Sequence, residues 1–164
     1  MAWFDRLRTL WVRWALWSAG MLLLIAATAL CVSWRTRNLD ARLREDLLEQ
    51  ATAIAQAVDP ALAKSLTFTP ADKDTPAYER LRAFLTAYGR LIPNRGIYTM
   101  ALRDGQIVSG PENYPEDDPM ASPPGTVYQK PTPEDFAIFQ TGQAYTVGPV
   151  AGEYGTFVSA AAPV

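Results

Sequence analysis

WALWSAGMLLLIAATALCVSW, residues Trp14 to Trp34, decides how the rest of the chain is read. It holds no charged residue across 21 positions. At the α-helical rise it extends ~31 Å, which matches the ~30 Å hydrocarbon core of a bilayer. A single open chain crosses that core only as a helix, because every backbone N–H and C=O must be paired internally. All five tryptophans, Trp3, Trp11, Trp14, Trp17 and Trp34, lie in or beside the run, as an interfacial belt places them. Soluble core helices rarely run this long without a polar face. The run therefore predicts an uncleaved transmembrane helix over 14–34, a short cytoplasmic tail over 1–13 and a folded domain over 35–164.

A secretory signal peptide is the competing reading, with Ala27-Thr28-Ala29 offering a small-x-small cleavage pattern. Cleavable apolar regions usually span ~7–15 residues, shorter than this one. Thr28-Ala29-Leu30-Cys31 also hints at a lipoprotein site, which the bulky Leu30 fits poorly. Orientation is not fixed by charge. Arg6, Arg8 and Arg13 precede the run, and Arg35, Arg37, Arg42 and Arg44 follow it.

Composition excludes several chemistries. The chain has no histidine, which rules out a His-based triad, a His general base and His metal ligands within it. Its one cysteine, Cys31, lies inside the apolar run and cannot form an intrachain disulfide. Residues 35–164 carry 12 basic and 16 acidic side chains, a net acidic balance with no electrostatic footprint for nucleic acid. No glycine-rich phosphate loop occurs. The acidic run Glu116-Asp117-Asp118 lacks the spaced ligands of a calcium loop and reads as a solvated turn. No cofactor and no metal is expected.

Outward from the membrane, Leu39, Leu43, Leu47, Ala51, Ile54 and Val58 recur at helical spacing on one face. That stripe can pack on its own domain, seal a homodimer through the juxtamembrane helix, or do both. Asp59-Pro60 ends the helix and opens a short turn through Leu66. Thr75-Pro76 opens another helix, with Tyr78, Leu81, Phe84, Leu85 and Tyr88 on one side and a close near Gly89. Asp104-Gly105 is a type I′ turn pair between strands 97–103 and 106–110. Its register sets Leu102 opposite Ile107 and Ala101 opposite Val108. Both faces are apolar, so this pair is expected to be central and covered on both sides. A long proline-rich loop runs from Pro111 to Pro131. Within it, Pro124-Gly125 is expected to fix a turn with glycine at positive φ. Thr132-Pro133 starts a short helix with Phe136, Ile138 and Phe139 inward, ending at Gly142. Strands 144–147 and 156–162 follow around a glycine-rich turn, Gly148 to Gly155. Antiparallel strands with helices to one side make an α+β domain.

A family resemblance rests on the run Ile92-Pro93-Asn94-Arg95-Gly96-Ile97-Tyr98 leading into the Asp104-Gly105 hairpin. It continues through Gly110-Pro111-Glu112-Asn113-Tyr114, Ser122-Pro123-Pro124-Gly125-Thr126-Val127-Tyr128 and Gly148-Pro149. It ends on Glu153-Tyr154-Gly155-Thr156-Phe157-Val158-Ser159 with Ala162-Pro163. Together these resemble the extracytoplasmic Cache-type (PAS-like) sensor domain that fronts bacterial membrane histidine kinases and diguanylate cyclases. Gly152 departs from the family pattern, where an acidic residue is common. The resemblance implies a central antiparallel sheet with flanking helices. It also implies a further strand, a second transmembrane helix and a cytoplasmic output module beyond Val164. Location in the bacterial inner membrane follows, with the sensor domain periplasmic or extracellular.

A pocket in such a domain lies between the sheet and its loop-helix cover. Arg95 is singled out because a guanidinium can grip a carboxylate two-pronged, and this makes a small anionic ligand the expected partner. Its structural alternative is a surface pair with Glu112 or Asp117. Tyr98 and Tyr128 can offer hydroxyls to a ligand, or be core aromatics whose hydroxyls reach the surface. Arg95, Tyr98, Glu112 and Tyr128 are thus the candidate ligand-binding residues, with no catalytic residue expected. Three function classes stand. They are a ligand-sensing input domain of a signalling protein, a ligand-free dimerisation ectodomain, and a membrane-anchored enzyme restricted to carboxylate chemistry.

Overall fold

The computed structural model describes residues 2–92, 96–152 and 155–164. It divides into two compact units, Met1–Leu43 and Arg44–Val164. Helix α1, Ala2–Ala57, contributes to both.

In the first unit the apolar run is helical throughout, and it belongs to the one described helix long and apolar enough to cross a membrane. Trp11, Trp14, Trp17 and Trp34 stand fully on its outside. Its few hydroxyls are satisfied within the helix. Ser18 donates to the Trp14 carbonyl at 2.8 Å and Thr28 to the Leu24 carbonyl at 2.8 Å. Such back-bonding removes the cost of carrying a bare hydroxyl into hydrocarbon.

The second unit is α+β. Its residues of α1 bury Ile54 and half-bury Leu47 and Ala51, and Val58 is buried just past the helix end, while in the first unit Leu39 and Leu43 of the stripe are 59% and 58% exposed. The predicted stripe therefore packs on the domain over its second half, from Leu47 onward. Pro60 ends α1 by disfavouring helical geometry at Asp59, whose carboxylate then accepts from the Ala61 N–H at 2.9 Å and caps α2, Pro60–Lys64. A single 3₁₀ turn, Pro70–Asp72, leads to α3, Pro76–Gly89, capped by the Thr75 hydroxyl. Tyr78, Leu81 and Leu85 of α3 join Ile54, Val58, Leu66, Phe68, Ala101 and Val108 in one core cluster.

Strands β1, Tyr98–Arg103, and β2, Gln106–Glu112, pair antiparallel with Ala101 opposite Val108 and Leu102 opposite Ile107, the expected register. Asp104 and Gly105 both take positive φ, 49° and 78°, as a type I′ turn requires. β2 does not stop at Gly110. It runs on through Pro111 and Glu112 because a bulge sets Gly110 and Pro111 against the single residue Thr99, and a bulge tolerates a proline that lacks an N–H. The following loop is not free cover either. Its segment 125–128 lies along the other edge of β2, with Ser109 donating to the Thr126 carbonyl at 2.9 Å and Tyr128 to the Ile107 carbonyl at 2.8 Å. Gly125 turns at φ 85°, as expected, and any Cβ there would press on Thr69 and Pro70.

Helix α4, Pro133–Thr141, opens on a capping box between Thr132 and Asp135 and closes on Gly142 at φ 65°. Asp135 is the buried member of α4, Phe136 and Ile138 are half-buried, and Phe139, 41% exposed, borders the cavity described below. The last hairpin is longer than its glycines suggested: β3 is Tyr145–Gly152 and β4 is Gly155–Ala161. β3 passes through Gly148 and cis-Pro149 at a second irregularity. There the Gly148 carbonyl accepts from Arg44 Nη2 at 2.8 Å. The described strands form two separate two-stranded sheets, β1-β2 and β3-β4, in place of one central sheet. No described ladder joins β1 to β4.

Candidate functional site

One large cavity of about 820 Å³ lies within the second unit. Every residue of β1 lines it, as does the unbroken stretch from Phe157 to Val164, whereas β3 contributes Tyr145, Val147 and, past its irregularity, Val150. In a strand, alternate side chains point to opposite faces. A strand that lines a cavity with consecutive residues does so with its edge, so the cavity passes between the open edges of β1 and β4. Leu47, Ala51 and Ile54 of α1 line it too, as do Asp135, Ile138 and Phe139 of α4 and the segment before that helix.

Three of the four predicted residues line this cavity. Tyr98 and Glu112 face each other as a cross-strand pair, and Tyr128 ends the short segment that borders β2. Arg95, with Pro93 and Asn94, lies outside the described residues, so the expected anion grip has no described geometry. Glu153 and Tyr154 of the resemblance also fall outside them.

The electrostatics are set by burial. Glu112 is 6% exposed, and burial pushes its carboxyl up from the ordinary glutamate value. The Ser122 N–H, donated to its Oε1 at 2.6 Å, and the charge of Arg82 act against that rise. Glu112 thus also ties down the loop. Arg82 Nη2 donates to the Tyr114 carbonyl at 3.2 Å and Nη1 pairs with Glu116 at 3.3 Å, so it pins the same loop from α3.

Sequence reasoning missed the centre of the polar corner, Asp135. It is 6% exposed, receives the Thr132 N–H on Oδ2 at 2.6 Å, and accepts a short hydrogen bond from the Tyr145 hydroxyl on Oδ1. Burial pushes the Tyr145 hydroxyl well up, and its hydrogen bond to the Asp135 carboxylate adds to this. Tyr98 is pushed up to about 12, by burial first and then by Tyr128, while a side-chain hydrogen bond with Ser159 of β4 acts the other way. Tyr98 retains 40% of its surface because it borders the cavity, yet its hydroxyl is desolvated. Tyr128 is raised by burial and then by Asp135. All three phenols are therefore neutral hydrogen-bonding groups at neutral pH, gathered with one carboxylate. The Thr132-Pro133-Glu134-Asp135 pattern announced a helix start, but nothing local signalled that Asp135 reaches Tyr145 ten residues on.

A second acidic group, Asp74, Glu79 and Glu116, brings carboxylate oxygens within 4.8 Å of one another on the surface. Glu116 is already paired with Arg82 and with Lys73 at 3.8 Å, and all three acids are exposed. That arrangement is a surface ion-pair network, which needs no cation to hold it. Searches against protein-family models, curated proteins and solved structures return no match to this chain.

Proposed function

We propose that residues 35–164 form the extracytoplasmic ligand-sensing input domain of a membrane signal-transduction protein, a sensor histidine kinase in first place and a diguanylate cyclase in second. The observation that carries this reading is the cavity of about 820 Å³. Its size is that of a small-molecule site, and it combines apolar walls with a few convergent polar groups. The PAS-like architecture belongs to the same proposal. The bacterial inner membrane, with the domain on its outer side, follows from the resemblance and from the apolar helix.

A ligand-free dimerisation ectodomain is the second reading, favoured by exposed Leu39 and Leu43 on an otherwise buried stripe. The two are compatible, since a sensor can also pair through α1.

The test is a thermal-shift screen of small acids, amines and neutral polyols on the full chain in a non-ionic detergent. A compound that binds only the folded state raises the melting temperature, by about 2.7 kcal/mol of stabilisation at a hundredfold excess over its Kd. We expect at least one class to do so. A flat result across all classes leaves the dimerisation reading in its place.

A further inference from the structure

The described polar corner of the cavity is built for positive charge. We propose that Asp135, with the rings of Tyr98, Tyr128 and Tyr145, binds the head of a small organic monocation, an alkylammonium or quaternary ammonium group. This rests on the sensing reading and names its ligand class.

Four observations converge on it. Asp135 is nearly fully buried, yet both of its hydrogen-bond donors, the Thr132 N–H and the Tyr145 hydroxyl, are neutral. A buried carboxylate is costly without a cationic partner, and a ligand can supply one. The second buried acid of the cavity wall, Glu112, adds charge of the same sign. Among the described residues, the two cationic side chains that border the cavity, Arg103 and Lys130, are exposed, and the Arg103 guanidinium is committed to the Thr67 and Leu102 carbonyls and the Phe68 ring. Finally, three tyrosines, Tyr98, Tyr128 and Tyr145, line the same cavity as Asp135, and the Tyr145 hydroxyl is hydrogen-bonded to it. Aromatic faces attract a cation held within ~6 Å of the ring centre, and an aromatic cage closed by one carboxylate suits an ammonium that cannot donate many hydrogen bonds.

The apolar walls exclude the alternatives physically. An anion placed beside Asp135 meets a like charge in a desolvated space. A neutral ligand gains nothing from the carboxylate that water would not also give.

The experiment is calorimetry on the full chain in non-ionic detergent, with choline and ethanolamine as cations. The neutral choline isostere 3,3-dimethylbutan-1-ol and the anions acetate and succinate complete the set. We expect at least one cation to bind, and the neutral isostere to bind roughly 10-fold or more weakly. Asp135→Asn keeps an acceptor for Thr132 and should lose roughly 10- to 150-fold in cation affinity. Tyr128→Leu, at a half-buried position, should lose roughly 2- to 30-fold while leaving the near-ultraviolet dichroism of the remaining tyrosines in place. If Asp135→Asn perturbs that dichroism, Tyr128→Leu decides, and unchanged affinity in it overturns the assignment. Binding of acetate, succinate or the neutral isostere without either cation overturns the monocation reading and leaves a sensor standing. Absence of binding by every probe overturns both.

Discussion

Removing one carboxylate, Asp72, should loosen the core from a loop. Asp72 is 4% exposed at the end of the 3₁₀ turn, and it gathers three donors: the Thr67 N–H at 3.0 Å, the Thr67 hydroxyl at 2.8 Å and the Phe68 N–H at 2.6 Å. These hold Phe68 at φ 58°, a left-handed conformation that costs a non-glycine residue about 1–2 kcal/mol, while its ring sits in the core cluster. Burial by itself would push the Asp72 carboxyl up. The donors of Thr67, Phe68 and Thr69 outweigh it and hold the group below its ordinary value. In Asp72→Ala the buried Phe68 N–H loses its acceptor, and an orphaned buried donor costs about 1–3 kcal/mol. Adding the Thr67 bonds, which are half-exposed and partly replaced by water, gives an expected loss of about 2–4 kcal/mol, large against the ~5–15 kcal/mol of a typical domain. Asp72→Asn keeps one acceptor and should lose about half as much. All seven tyrosines lie between residues 78 and 154 and all five tryptophans between 3 and 34, so tyrosine near-ultraviolet dichroism during urea unfolding reports on the domain alone. A depressed folded pKa means the stabilisation is fully present above the unfolded value of ~3.9 and is lost as pH falls through the lower folded value. The gap between parent and Asp72→Ala should therefore be constant from pH 7 to 5 and shrink below ~4. A gap under ~0.5 kcal/mol at pH 7, or one equally wide at pH 3, would refute the reasoning.

Glu112 should behave with the opposite sign. Its folded pKa is raised, so its ionised form costs stability at neutral pH, a cost absent below the unfolded value of ~4.3. Glu112→Gln keeps an acceptor for the Ser122 N–H and should be at least as stable as the parent at pH 7, with the difference closing toward pH 4; a less stable variant at pH 7 contradicts this. The open edges of β1 and β4 should show in hydrogen exchange. In each strand, amides directed to the partner strand should be protected, while those on the cavity edge exchange orders of magnitude faster. Uniform protection along Tyr98–Arg103 and Gly155–Ala161 would mean the seam is closed in solution.

Much of the element order was legible because this chain marks its boundaries with residues of fixed backbone chemistry. Asp59-Pro60, Thr75-Pro76 and Thr132-Pro133 each place a capping oxygen before a proline that starts a helix, and all three do so in the structure. Asp104-Gly105 set a hairpin register that holds residue for residue near the turn. The same punctuation misled where a proline sits inside a strand. Pro111 and Pro149 read as loop residues, but bulges carry β2 and β3 through them. The candidate site was legible only in part. Tyr98, Glu112 and Tyr128 line the cavity, whereas Asp135 and Tyr145 become partners only through the packing of α4 against β3, which no local pattern encodes. The pairing of segment 125–128 with β2 is non-local in the same way.

Helix α1 ties the membrane reading to the cavity reading more closely than either does alone. The helix that carries the charge-free run continues without a break to Ala57, and its residues Leu47, Ala51 and Ile54 form part of the cavity wall. Two of the wall positions on that face, Ala51 and Ala55, are small. A volume change in the cavity is therefore met at the helix backbone, with little side chain to absorb it. A bound ligand can shift the position of α1 only by as much as its affinities for two packings of this wall differ, and a tenfold difference supplies about 1.4 kcal/mol. The sensing proposal thus asks the wall residues of α1 from Leu47 to Ala55 to shift together, and the sequence is suited to that. Between Trp34 and Ala57 it contains no proline and no glycine, the residues at which helices most often bend.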